Sequence, residues 1–232
     1  MIRLMALLLA FASSARACDI ALLLAVDVSG SVDPQEYAIQ MDGLAAALQN
    51  SEVAEALVTS RARIALMQWT GTSRQVISID WVQITDFADI APLADTILTM
   101  PRAWRDYSTA IGEAMLLAKT AFDAVPDCKR RVIDISGDGP SNEGTPPETL
   151  RTAMARSGIT VNALVIEGSL PGLTDYYRQN VITGPGAFAV TANSFADYPR
   201  EIIRKLQREV GRPVTKADCD HKIANCDHAT RF

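Results

Sequence analysis

The chain has 232 residues, of which 48% are hydrophobic, 21% charged and 6% aromatic, and its formal net charge is −5. That balance excludes a disordered or low-complexity chain and supports a substantial buried core. An acidic surface repels nucleic acid and anionic lipid, so neither is an expected partner.

The first 17 residues read as an export signal. Arg3 precedes an apolar block from Leu4 to Ala12, and Ser13-Ser14-Ala15-Arg16-Ala17 ends in the small-x-small pattern of a secretory cleavage site. The block is too short to span a bilayer as a helix, and no later segment is apolar for long enough. A cut after Ala17 would start the mature chain at Cys18, outside the cytoplasm, as a periplasmic or secreted protein. Lipid attachment at Cys18 is disfavoured because Ala15 stands where that processing usually wants a leucine-like residue. Without Arg3 and Arg16, 20 basic side chains face 27 acidic ones, a formal charge of −7. The remaining length fits one domain over 18–211 and an irregular tail over 212–232.

Ile20 to Val26 is continuously apolar and ends in Asp27-Val28-Ser29-Gly30-Ser31. Such a run reads as a strand buried on both faces that delivers polar side chains at its C-terminal end. Alternate residues project to one side, so Asp27, Ser29 and Ser31 can converge if the chain turns at Gly30. Their hard oxygens suit Mg²⁺ or Mn²⁺ rather than zinc.

Asp33-Pro34-Gln35-Glu36 is a helix start with an aspartate cap, proline at the first position and glutamate at the third. Tyr37, Met41, Leu44 and Leu48 follow as its apolar stripe. Arg63–Trp69 and Gln75–Trp81 read as strands, and the short Thr70–Ser73 connection implies an antiparallel hairpin with the second strand at a sheet edge. Thr85–Met100 is expected to be helical, with Phe87, Ile90, Leu93 and Ile97 inward, and Pro101 ends it. A polar and aromatic loop from Arg102 runs into a helix carrying Ile111, Met115, Ala118 and Phe122, with Ser108 as its expected cap. Arg131–Ser136 is a strand, and the glycines of Gly137-Asp138-Gly139 allow a turn that presents the Asp138 carboxylate at the same end of a parallel sheet as Asp27. Thr145-x-x-Glu148 reads as a capping box for a helix through about Arg156. Gly158–Ile166 is a further strand, Thr174–Val181 a short helix and Ala187–Thr191 a last strand. Ser194-x-x-Asp197 caps a final helix with Ile202, Ile203, Leu206 and Val210 inward. The alternation predicts an α/β fold: a three-layer, doubly wound, mostly parallel sheet of six strands with helices on both faces.

Asp27-x-Ser29-x-Ser31 closing a buried first strand resembles the metal-ion-dependent adhesion site of von Willebrand factor A-like domains and, within that class, an exported bacterial group of domains of unknown function. The resemblance covers about Asp19 to Gly211. It implies the strand order 3-2-1-4-5-6, with one antiparallel edge strand. It also implies a fourth ligand, a threonine three residues before a glycine that lets the next helix pack closely; Thr109 and Gly112 match. The implied site is Asp27, Ser29, Ser31, Thr109 and Asp138. The three hydroxyls would bind the ion directly, the two carboxylates mainly through water, and a partner's Asp or Glu carboxylate would complete the coordination. The function implied is an exported, divalent-cation-dependent protein-binding module.

Trp69, Trp104, Tyr107 and Asn142 are candidates for the surface around that site, with core packing the competing role of the aromatics. Asp106 and Glu143 lie on loops near it and read as solvated acids. Asp134, an acid inside a buried strand four residues before Asp138, is too far along the strand to share the ion and reads as a structural hydrogen-bond or ion-pair residue. If the Arg131–Ser136 strand lies beside the first, Cys18 and Cys128 sit level at its base and can pair, leaving Cys219 with Cys226. The tail repeats Cys-Asp-His at Cys219 and Cys226, which leaves zinc as a rival to that second disulfide.

Two rival classes remain. An enzyme of the Ser-His-Asp or Cys-His kind is excluded because both histidines lie in the tail, and Ser29 stands where an aspartyl phosphotransferase needs a second acid. No glycine-rich phosphate loop is present. Metal-assisted hydrolysis and a metal-free interaction domain stay as alternatives.

Overall fold

The computed structural model describes residues 18–168 and 170–211; the expected signal peptide, the tail and its cysteines lie outside them. The chain forms one six-stranded sheet in the order β3-β2-β1-β4-β5-β6. The strands are β1 (Ile20–Asp27), β2 (Arg63–Trp69), β3 (Gln75–Gln83), β4 (Arg130–Gly137), β5 (Ile159–Ile166) and β6 (Ala189–Ala192). All pairs are parallel except the β2–β3 hairpin, which puts β3 at an edge as the short connection requires. The seven helices described are α1 (Pro34–Gln49), α2 (Ser51–Ser60), α3 (Ile90–Leu98), α4 (Ile111–Ala121), α5 (Pro147–Arg156), α6 (Leu173–Asn180) and α7 (Tyr198–Val210). Among the described residues no helix is long and apolar enough to cross a membrane.

β1 is central and wholly buried because each of its faces meets a helical layer. Ile20, Leu22, Leu24 and Val26 join the core under α1, α2, α3 and α7. Ala21, Leu23 and Ala25 join a second core under α4, α5 and α6. The two-residue period of a strand thus divides one apolar run between two cores. At the base of the sheet Cys18 and Cys128 form a disulfide with Cα atoms 4.5 Å apart, the pairing expected from their level positions.

Several local expectations are corrected. Residues 85–100 are not one helix: β3 continues to Gln83, Asp86 caps a 3₁₀ turn over Phe87–Asp89, and α3 begins at Ile90. Phe87 therefore points outward and is 58% exposed, because the turn breaks the helical register that would carry it inward. α2 had no expected counterpart; Asn50 ends α1 in an extended conformation and its side chain caps α2. Thr145 does not cap α5, since its hydroxyl and N–H both donate to Glu113 Oε1 at 2.9 Å and Pro146 occupies the cap. Ser194 makes no capping bond either, and a 3₁₀ turn intervenes before α7. β6 starts two residues later than expected, at Ala189. The capping box of Asp33 and Glu36 forms as written in the sequence, with Asp33 accepting from Gln35 and Glu36 N–H groups.

Candidate metal centre

Parallel strands β1 and β4 end at the same rim, and their turns carry Asp27, Ser29, Ser31 and Asp138 to one place. The Ser31 hydroxyl donates to Asp138 Oδ1 at 2.6 Å across 107 residues of sequence. Ser29 and Ser31 Oγ atoms are 3.2 Å apart. Asp27 lies beneath them, fully buried, its Oδ1 accepting the Ser29 N–H at 2.7 Å. Ser31 is exposed and Asp138 half-buried, so the cluster opens to solvent on one side only.

Thr109 joins through the loop before α4. Its N–H donates to Asn142 Oδ1, and the Asn142 N–H donates back to its carbonyl, both at 2.9 Å. Its Oγ1 lies 3.8 Å from where a Cβ on Gly139 would stand, beside Asp138. The spacing from Thr109 to Gly112 has a steric cause: a Cβ at 112 would come within 1.9 Å of the Thr145 carbonyl oxygen, so only glycine lets α4 lie against that loop. Gly30 performs the matching role on the other side, with its N–H donating to the Tyr107 carbonyl at 2.8 Å.

Polar side chains that the sequence reading did not single out hold this arrangement. Arg102 Nη2 donates to the carbonyls of Val28 and Ser29 at 2.9 and 2.8 Å, clamping the turn. Gln40 donates to the Asp27 carbonyl at 3.3 Å and accepts from Ser136 Oγ at 3.4 Å. The buried Tyr177 hydroxyl donates to the Gly139 carbonyl at 3.1 Å. Gln40 carried a readable signal, being polar one position before Met41 in the inward stripe of α1. Arg102 and Tyr177 carried none, because their partners are backbone carbonyls distant in sequence.

Other expectations around the site divide. Ser108 does not cap α4; Ser141 Oγ accepts from the Ile111 N–H at 3.2 Å instead. Trp69 is wholly buried and packs in the core rather than on the surface. Trp104 is half-buried against the core, whereas Tyr107 is 42% exposed with the Arg74 guanidinium 3.8 Å over its ring. Glu143 is tied to the hairpin, accepting the Thr72 N–H at 3.0 Å, which lowers its pKa. Asp134 is an ion-pair residue, as expected: it is buried against the Lys205 ammonium of α7.

The donor set fits a hard divalent cation. Two hydroxyls and two carboxylates meet in one chain of contacts, Thr109 Oγ1 stands on the Gly139 side of Asp138, and one carboxylate atom, Asp27 Oδ2, is buried without any hydrogen-bond donor. A Cβ on Gly137 would lie 3.1 Å from that oxygen and 2.4 Å from the Tyr177 hydroxyl, so glycine keeps the space beside it clear. Burial, and then the charge of Asp138, raise the Asp27 pKa to about 7. Burial raises Asp138 as well. A cation between two such acids reverses both effects, since opposite charge favours the ionised form. Among the described residues no group of three or more His, Cys, Asp or Glu is placed to hold a metal, so a site here depends on the hydroxyls.

Solved structures share the fold. Proximal thread matrix protein 1 from the mussel byssus is 18% identical with a TM-score of 0.62, over 82% of this chain and 48% of that one. A structure of the same protein with a zinc-occupied metal-ion-dependent adhesion site gives 0.58. A von Willebrand factor type A protein from Catenulispora acidiphila is 17% identical with a TM-score of 0.57, over 84% of this chain and 44% of that one. The pilus adhesin SpaC from Lactobacillus rhamnosus GG gives 12% and 0.61, over 82% and 30%. The chain spans at most about half the length of these structures. Identities this low carry the von Willebrand factor A-like fold and nothing finer. No curated protein matches the chain in sequence. A family profile matches residues 17–214, a span that includes all of the described residues, and the protein therefore belongs to the family described as protein of unknown function (DUF1194).

Proposed function

We propose that this is an exported, divalent-cation-dependent protein-binding module that captures a partner's Asp or Glu carboxylate. Asp27, Ser29, Ser31, Thr109 and Asp138 are its metal residues, and Mg²⁺ or Mn²⁺ is the ion that suits their oxygens. The observation that carries the reading is the Ser31–Asp138 contact directly above a buried, donorless Asp27 oxygen. Ser29, Ser31 and Thr109 offer neutral oxygens, while Asp27 and Asp138 supply negative charge from behind. When bound, a hard cation with mostly neutral direct ligands is a strong acceptor for one more anionic oxygen. Arg102 and Gln40 hold the turn so that little order is lost on binding. Asn142 fixes Thr109, and exposed Tyr107 gives a partner an aromatic contact beside the opening.

Export is supported by the Cys18–Cys128 disulfide, which persists in oxidising compartments, together with the signal-like first 17 residues. A byssus matrix protein and a pilus adhesin share the fold, which supports contact with other proteins as its use. Capture of partners from an envelope extract tests the proposal, with Asp27→Ala as control. Binding is expected with Mg²⁺ and lost with chelator or with the variant. Capture that survives both removes the metal from recognition, and turnover of an ester or phosphoester that requires Asp27 replaces binding with hydrolysis.

A further inference from the structure

We propose that Asp134 and Glu209 hold one proton between them inside the fold, a closed proton site, independent of the metal rim, that makes the grip of α7 on the sheet depend on pH.

The site is defined by unequal charges. β4 brings Asp134 under α7, which supplies Lys205 and Glu209, and all three side chains are buried. Lys205 Nζ contacts Asp134 Oδ1 and lies 2.6 Å from Glu209 Oε1. Two carboxylates thus share one ammonium. With both ionised, the cluster keeps a surplus negative charge out of water, which is costly.

No other group on the facing elements balances that charge. Arg130, at the start of β4, donates through Nη2 to the Glu209 backbone carbonyl, and Arg208 lies 3.8 Å over the Phe188 ring. Neither arginine forms an ion pair with either carboxylate. Glu201 of α7 is taken by Arg200 and Arg204. The buried side chains of α1, α2 and β5 include none that is charged, and Glu52 of α2, which accepts from Gln207, is exposed. The buried Tyr198 phenol stays neutral, its pKa raised by burial and by Asp134.

Hydrogen bonding shows the same shortfall. Glu209 Oε1 accepts from Lys205 and, at 2.9 Å, from Asn162 Nδ2. Glu209 Oε2 and Asp134 Oδ2 are buried with no donor among the described residues, although the two carboxyl groups are within hydrogen-bonding reach of each other. One proton on either acid makes a donor of it, leaves the other as acceptor and removes the surplus charge. Burial first, and then the charge of Asp134, push the Glu209 pKa from 4.5 up to about 8, with Lys205 opposing. Groups so close titrate as a pair, so the proton belongs to both. The unfolded chain gives it up first, so stability falls as pH rises between those two values.

Glu209→Gln tests this, because its amide offers Asp134 a hydrogen in place of the shared proton and keeps an oxygen for Lys205 and Asn162. Denaturant unfolding of wild type and variant is compared from pH 5 to pH 9 in chelator; Asp27 titrates alike in both and cancels from the ratio of folding constants. That ratio is expected to move in favour of the variant by about a hundredfold or more over the range. Asp134→Asn is expected to behave in the same way, and the Asp134→Asn/Glu209→Gln double variant, which leaves Lys205 without a counter-charge, to be less stable than either single variant at pH 7. A ratio for Glu209→Gln that does not change with pH, or a double variant as stable as the single ones, overturns the proposal. If the variants do not fold, ¹³C NMR titration of the two carboxyl carbons in the wild-type protein decides. One proton retained by the pair at pH 7 supports the shared site, and two ionised carboxylates at pH 6 overturn it.

Discussion

In the middle of the sheet, under α7, Asp134 and Glu209 are buried with the Lys205 ammonium between them; at the carboxyl rim, Asp27 is buried with Asp138 for a neighbour and only backbone and hydroxyl groups against it. Both places take carboxylates out of water, which is expensive unless a positive charge accompanies them. One carries its cation on α7. The other presents oxygens around a space that Gly137 keeps clear, so its compensating charge has to come from solution. The comparison teaches that burial of an acid does not by itself mark a function; what marks it is whether the chain also supplies the counter-charge.

The largest expected effect comes from removing the internal cation. Lys205→Met should destabilise the protein by about 3–5 kcal/mol, since it leaves two buried acids unpaired, whereas Asp27→Asn without metal should be neutral or slightly stabilising. Denaturant unfolding of both variants in chelator checks this, and equal losses would erase the distinction between the two clusters. Next is pH. An acid whose folded pKa, here about 7 for Asp27 against 3.8 unfolded, exceeds its unfolded one costs stability as pH rises between those values, because the unfolded chain ionises first. Metal-free protein should therefore lose up to about 4 kcal/mol between pH 4 and pH 8 from this group. Glu209, raised by burial and by Asp134, shifts in the same direction, so the portion due to Asp27 is what Asp27→Asn abolishes.

Divalent ions sharpen the contrast from the other side. At about a hundred times its dissociation constant, Mg²⁺ or Mn²⁺ should add roughly 2.7 kcal/mol, visible as a rise in Tm. The rise should be larger at pH 8 than at pH 5 and absent in Asp27→Ala and in the Ser29→Ala/Ser31→Ala double variant. The smallest effect belongs to an exposed pair at the base of the sheet. Lys129→Ala breaks the ion pair with Asp19 but should change stability by less than about 1 kcal/mol, because both groups keep their water.

The apolar run of β1, the hairpin, the αβ alternation and the spacing of Asp27, Ser29, Ser31 and Asp138 were legible because each is a local pattern whose period or turn chemistry admits few folds. Thr109 was singled out only by the family resemblance, through Gly112, whose need shows in the 1.9 Å approach to Thr145. The capping expectations failed where a tertiary partner outcompeted the local one: Glu113 takes Thr145, and Ser141 takes the end of α4 meant for Ser108. Residues 85–100 failed for a local reason, since the Asp86 cap stops the helical register before Phe87.

By itself the sequence determined which residues could be strand, helix or turn and which side chains could reach a common rim, because periodicity and residue chemistry act over a few neighbours. Only the tertiary structure decided which buried acids have a cation. That pairing joins residues as distant as Asp134 and Lys205, and it depends on how β4 and α7 pack against each other, which no local pattern encodes.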